Sequence, residues 1–364
     1  MTRPFSPDEA LSARIEIVPN ALLVPYNDPT PRRGKVHLGG VYRSDLSFVE
    51  NSLCFISETR QVNRPQPGIR GDDAAELAGT WLFGGKHDRR FGHFLVETLS
   101  RLWALEYCQG PIAGIAFLPP KIVPAKRASL QLQSSAPLFD LVGELPPRRA
   151  FTEKTRFERL IVPPQGCGAG MMAPGSPEFR AFINRRFAPG IQPKGAKKLY
   201  VSRTKMTGTP GHLLFERLIE DAAREEGYDI FHPQEHGLAE QIASYRAADY
   251  ILGVEGSAFH MIAFSARPSA NIAMIRRRMS DAADGFIDQI ARITGANCVD
   301  VNCLTENFFI PDTLPMANGT PDLGAIYALL QREVFFAKHH SSPDLTPEVI
   351  EAEKAALAAA MTKE

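Results

Sequence analysis

The chain has 364 residues, 44% of them hydrophobic, and 41 basic side chains balance 41 acidic ones. That is ample for a buried core and favours two domains over one. Zero formal net charge excludes a global attraction to nucleic acid or to an anionic membrane, leaving peripheral membrane contact to local patches.

The N-terminal stretch Met1–Glu9 has no apolar signal core, and no run approaches the ~18 apolar residues of a membrane span. Cys54, Cys108, Cys167, Cys298 and Cys303 are scattered, odd in number and without CxxC spacing. They argue for a reducing compartment and against a disulfide framework or zinc site. A soluble cytoplasmic protein is expected. Short strands are predicted at Ile15–Val18, Ala21–Val24 and Val36–Leu38, broken by Pro and Gly, then at Trp81–Phe83. A helix is predicted from about Phe91 to Tyr107, with strands at Gly114–Leu118 and Arg159–Val162. Residues 166–175 read as a Gly/Pro loop and 176–187 as a helix; Pro189–Gly195 is the linker candidate.

Beyond the linker the pattern becomes regular. Strands are predicted at Lys198–Ser202, Tyr228–Phe231, Tyr250–Val254, Asn271–Ile275 and Asn297–Val301. Helices are predicted from about His212 to Glu226, Ala239 to Ala247, Ser257 onward, and Phe286 to Thr294. Such alternation indicates a doubly wound parallel sheet, in which ligands bind beyond the carboxyl ends of strands.

Two turns at such ends suit phosphate. The run Tyr250–Val254 ends in Glu255-Gly256-Ser257, and a short apolar helix with Ala258 and His260 follows. Glycine allows close backbone approach, and a helix start supplies free N–H donors. Upstream, Ser202-Arg203-Thr204-Lys205 offers a guanidinium fork and a point charge. In the first half, His93, Glu97 and Arg101 are spaced i, i+4, i+8 and should share one helix face, where imidazole and carboxylate can form an acid/base unit. Glu235 could accept ribose hydroxyls, and Gln241 could bond a base or sugar. The triplet Arg276-Arg277-Arg278 could contact an anion, but a solvated loop is the preferred reading. Glu255 and Phe259 stand where a nucleophile elbow on Ser257 would need glycines. No Asp-x-Asp pair and no GxGxxG occur, so neither a metal–diphosphate clamp nor an NAD-type site has a candidate.

Read in order, Gly92–Glu97 with Arg101-Leu102, Leu199–Arg203, Glu235 with Glu240-Gln241-Ile242, and Ala248–Gly253 leading to Gly256–His260 resemble the family-61 glycosyltransferases. That family includes bacterial capsular-polysaccharide proteins and eukaryotic xylosyl- and N-acetylglucosaminyltransferases. The resemblance covers roughly residues 80–270 and implies an α/β fold of two Rossmann-like domains facing a cleft, of GT-B type. Residues 1–190 would form the acceptor-side domain, with extra β structure, and 196–335 the donor domain; 336–364 would be a helical tail. It implies an inverting, metal-independent transfer from a nucleotide sugar, with a UDP-sugar expected, to a glycan or other hydroxyl acceptor in surface polysaccharide synthesis. No cofactor is implied. Arg203, Lys205 and the start Gly256-Ser257-Ala258 would bind the donor diphosphate, and His93 or Glu97 would be the base. Arg101, Glu235, Gln241, Glu255 and His260 would line the donor or acceptor sites. Many members carry His where this chain has Glu255; a glutamate there repels a diphosphate unless protonated or turned away. A nucleotide-binding regulator, or another nucleotide-sugar enzyme, is the alternative.

Overall fold

The computed structural model describes residues 5–26, 36–206, 211–311 and 316–361. The protein is of the α/β class and divides into two compact units. One comprises residues 1–189 with 284–293, the other 190–283 with 294–364. Among the described residues no helix is long and apolar enough to cross a membrane.

The first unit is built on six strands: β1 (Glu16–Val24), β2 (Gly40–Tyr42), β3 (Ala75–Lys86), β4 (Gly114–Leu118), β5 (Arg148–Ala150) and β6 (Thr155–Val162). Their order is β2-β1-β6-β3-β4-β5. The run from β6 to β5 is parallel, while β1 is antiparallel to both its neighbours. This sheet is therefore mixed rather than purely doubly wound. The two short strands expected at Ile15–Val18 and Ala21–Val24 are one strand. Asn20 takes a left-handed φ of 50° there, and the β2 ladder covers only Leu22–Val24, so Pro19 removes no bond on that side.

Every residue of Trp81–Lys86 and Gly114–Leu118 is buried, as expected for parallel strands covered on both faces. Trp81 meets Phe151 and Phe157 edge-on at 5.8 and 5.7 Å, within a core that includes Val18, Leu23, Phe83 and Leu160. Burying each such side chain contributes about 1.5–3 kcal/mol. Helix α1 (Pro177–Arg186) begins with Pro at its first position, and the Ser176 side chain accepts from Phe179 N.

The second unit holds five parallel strands: β7 (Lys198–Val201), β8 (Asp229–Phe231), β9 (Tyr250–Val254), β10 (Asn271–Ile275) and β11 (Asn297–Val301). Their order is β8-β7-β9-β10-β11. Helices α2 (Glu216–Glu225), α3 (Leu238–Ala247) and α4 (Ala258–Ser265) connect the first four, and α5 (Ala282–Thr294) lies between β10 and β11 in sequence. Residues 284–293 of α5 fall in the first unit. The winding reverses between β7 and β9, so the loops after these strands flank the crevice where open α/β sheets bind ligands. A hairpin, β12 (Leu304–Phe308) and β13 (Asn318–Pro321), follows, then α6 (Leu323–Arg332), capped by the Asp322 side chain, and α7 (Pro347–Met361).

Candidate functional site

In the first unit the candidate residues gather just beyond the carboxyl end of β3. The ladder to β4 shifts register between Phe83 and Gly85, and Gly85 adopts a φ of 82°. A bulge of this kind resets the alternation of side chains. Lys86 then turns towards two carboxylates, with Nζ 2.5 Å from Glu97 Oε2 and 3.2 Å from Asp88 Oδ2.

The segment expected as one helix from Phe91 to Tyr107 is three pieces. Phe91–His93 is a single α-helical turn, Phe94–Thr98 a π-turn and Leu102–Glu106 a 3₁₀ turn. The wide turn is closed by Leu99 N donating to Phe94 O, and π-turns recur at functional sites. His93 and Glu97 remain neighbours, Nδ1 against Oε1. Arg101 does not share their face. It is buried, donates to the carbonyls of Asn51, Leu53 and Pro163, and lies over the Phe83 ring. Its guanidinium is held by these carbonyls apart from the His93–Glu97 face, because uneven winding breaks the i, i+8 relation.

Burial opposes ionisation of Glu97, but the His93 hydrogen bond and the Lys86 charge outweigh it and hold the carboxyl below its ordinary range. Asp88 is also opposed by burial. The fork of Arg90, with Nε at 3.0 Å and Nη2 at 2.6 Å, and the charge of Lys86 hold it well below the carboxylate range. The neighbouring His87 is pulled down to about 4 by burial and stays neutral at neutral pH; its Nε2 lies 3.0 Å from Ser135 Oγ.

The Glu97 side chain is 2% exposed and that of His93 29%. With Nδ1 committed to Glu97, Nε2 is the ring nitrogen of His93 that remains for another partner. Ligand atoms of Asp88, His93 and Glu97 lie within 4.8 Å of one another, a spacing that could hold a cation. The Lys86 ammonium already bridges both carboxylates, so a metal ion would have to displace a buried cation.

In the second unit three adjacent strands end in charged turns. After β7, the amide of Arg203 donates to Glu216 Oε1 at 2.7 Å. The Arg203 Nη2 donates to Gly211 O at 3.2 Å, and Nη1 packs against Gly256, where a Cβ would come within 2.7 Å. Gly256 thus lets a guanidinium meet the start of α4. The hydroxyls of Ser202 and Thr204 reach Glu220, anchoring this loop from beneath.

Glu255, after β9, is fully buried. Its carboxylate is paired with Arg278, whose Nε lies 2.8 Å from Oε1. The triplet expected as a solvated loop is otherwise. Arg276 and Arg277 are buried; Arg276 forms a fork with Asp300, and Arg277 Nε donates to the Glu255 carbonyl at 2.9 Å. Burial and the neighbouring Arg203 pull Arg277 down to about 9.

The remaining candidates fall as follows. Ser257 caps α4 through its backbone with its side chain exposed, Ala258 opens the helix, and His260 is buried within it. Lys205 and Glu235 bind each other at 3.1 Å, both about half exposed. Gln241 Nε2 donates to the carbonyls of Pro233 and His236, so both its N–H donors serve its own loop. Lys86, Asp88 and Glu216 were not among the sequence candidates, and Arg277 and Arg278 were weighed only as a possible anion contact in a solvated loop. The rule that ligands sit beyond parallel strand ends would have found Lys86 and Asp88, which follow the apolar run Trp81–Phe83.

Burial lifts the Glu216 carboxyl to about 7, against the pull of the Arg203 amide and guanidinium. A folded-state value raised above the unfolded one gives stability that is present below about 4.5 and lost as pH rises through 7. Glu216→Gln should therefore match the parent near pH 4.5 and exceed it at pH 8 by up to about 3 kcal/mol. Denaturant titrations at both pH values check this; equal gains at both would refute the titration.

Residues 91–273, half the chain, match the family model described as Glycosyltransferase 61. No curated protein matches the chain. The matched span includes His93, Glu97, Arg203 and Gly256 but neither Lys86 and Asp88 nor Arg276–Arg278.

Proposed function

Because the chain belongs to glycosyltransferase family 61 and is a glycosyltransferase, we propose that it moves a sugar from a UDP-sugar to a glycan hydroxyl, with inversion and without a metal ion. The observation that carries this is the His93–Glu97 pair, ordered by Lys86, with one imidazole nitrogen left for a substrate.

In the proposed step the acceptor oxygen attacks the anomeric carbon from the face opposite the leaving diphosphate. The new C–O bond forms as the glycosyl–phosphate C–O bond breaks, and that electron pair leaves on the diphosphate. The hydroxyl proton passes to His93 Nε2. Glu97 accepts from Nδ1 and stabilises the imidazolium, the part a carboxylate plays in triads. Lys86 keeps Glu97 ionised. On the donor side, Arg203 and the opening amides Gly256-Ser257-Ala258 of α4 take up the charge that develops on the diphosphate. Lys86 between the carboxylates, and cationic groups at the donor turns, support metal independence. A GT-B arrangement, with base and donor sites facing each other, is the architecture this requires. Surface polysaccharide synthesis in the cytoplasm is the setting the family resemblance suggests.

Calorimetry of UDP, GDP and CMP binding, with and without EDTA, tests the metal-free part. UDP should bind equally in both; binding abolished by EDTA would overturn it. Binding without transfer to any glycan acceptor would favour a nucleotide-binding regulator instead.

A further inference from the structure

The guanidiniums of Arg203, Arg277 and Arg278 converge where β7, β9 and β10 end, and each is satisfied by acceptors to a different extent. Arg276, the first of its triplet, is fully engaged by the Asp300 carboxylate. Arg277 is 5% exposed, yet its Nη1 has no hydrogen-bond partner among the described residues. That nitrogen packs against Gly211, where a Cβ would come within 1.8 Å and where Arg203 also donates. Arg203 likewise has a buried Nε without a partner among the described residues. The carboxylate paired with this group is Glu255, through Arg278.

The geometry ties these arginines to the phosphate-type turn itself. The Glu255 amide donates to Ile275 O at 2.8 Å, its carbonyl accepts from Arg277 Nε, and its carboxylate from Arg278. The residue before Gly256 is thereby fastened at three points to the segment Ile275–Arg278. A buried glutamate at this position does not oppose an anion; it orients two guanidiniums beside the helix start. Glu255 on Arg278 and Glu216 beside Arg203 are the carboxylates that face these three guanidiniums, which outnumber them. A buried cation with open hydrogen-bonding capacity is costly unless an anion completes it.

We propose, resting on the donor-site reading above, that Arg277 and Arg278, held by Glu255, are donor-site residues that join Arg203 in binding the diphosphate. Arg277 is the central member, since it alone combines near-complete burial with an open guanidinium nitrogen beside the turn. Arg277 and Arg278 lie beyond the matched span 91–273, whereas Arg203 and Glu255 lie within it.

Calorimetry on the full chain tests this with UDP, uridine and inorganic pyrophosphate as probes. Arg277→Met should weaken UDP and pyrophosphate binding about ten- to a hundredfold, the loss of a charge-assisted hydrogen bond. Any binding of uridine, which has no phosphate, should be unchanged. Arg277→Lys should recover part of the loss, because an ammonium restores charge without the fork. The double variant Glu255→Gln/Arg278→Met removes both partners of the buried pair, so folding is retained, and it too should weaken UDP. Melting temperatures measured beside each titration separate binding from folding. A folded Arg277→Met that binds UDP like the parent overturns the assignment. Should that variant not fold, parent-like UDP affinity in both Arg277→Lys and the double variant overturns it equally. A parent chain that binds none of UDP, GDP, ADP and pyrophosphate overturns the donor-site reading first, and the assignment with it.

Discussion

Replacing His93 by alanine is expected to slow sugar transfer by about 10²–10⁴-fold while UDP affinity and melting temperature stay at the parent level. The side chain is partly exposed and its recorded polar partner is Glu97, so its removal opens little of the core. Glu97→Gln keeps the shape but cannot stabilise an imidazolium, and its loss of rate should be comparable. That variant carries a second effect. Glu97 is buried against Lys86, and losing its charge leaves that ammonium with Asp88 alone, at a cost of up to about 3 kcal/mol. His93→Ala is therefore the cleaner probe. Free imidazole added to it should restore part of the rate, an outcome that a purely structural histidine would not produce. A folded His93→Ala protein transferring sugar at the parent rate would remove the base from this unit.

The second unit was legible because its strands are apolar runs bounded by turn residues, and each expected strand lies within one residue of the observed one. Parallel strands buried on both faces carry that signal without alternation. The first unit was less so. Periodicity placed Arg101 with His93 and Glu97, but the partners that draw it inward are carbonyls at Asn51, Leu53 and Pro163, roughly fifty to sixty positions away in sequence. A window of helix-length spacing holds no trace of them. Arg276–Arg278 shows the same limit. A charge triplet usually faces solvent, but Arg276 and Arg277 are buried because Asp300 and Glu255, on neighbouring strand ends, accept from them. Glu255 looked like a departure that would repel a diphosphate; its partner Arg278 becomes visible only once β9 and β10 are adjacent.

Arg101→Met is expected to destabilise the first unit by about 3–5 kcal/mol, because three buried carbonyls lose a charge-assisted donor that methionine cannot replace. Volume is nearly conserved, so the loss reports hydrogen bonding more than a cavity. Burial alone disfavours the guanidinium's charge and lowers its pKa, which means the carbonyls, with the Phe83 face beneath, must offset that cost in the native state. They join the segment Asn51–Leu53 to the end of β6 at Pro163 and to the turn that follows Glu97. Arg101→Lys should recover little, since one ammonium on a flexible stem cannot serve three acceptors in the plane of a fork. The second unit, which contains no part of this network, should bind UDP with parent affinity while the first unit melts roughly 10 °C lower. The opposite pattern decides against a structural role. An Arg101→Met protein that melts like the parent and transfers no sugar would place this guanidinium on the substrate, beside His93, where the bare spacing of the sequence had put it.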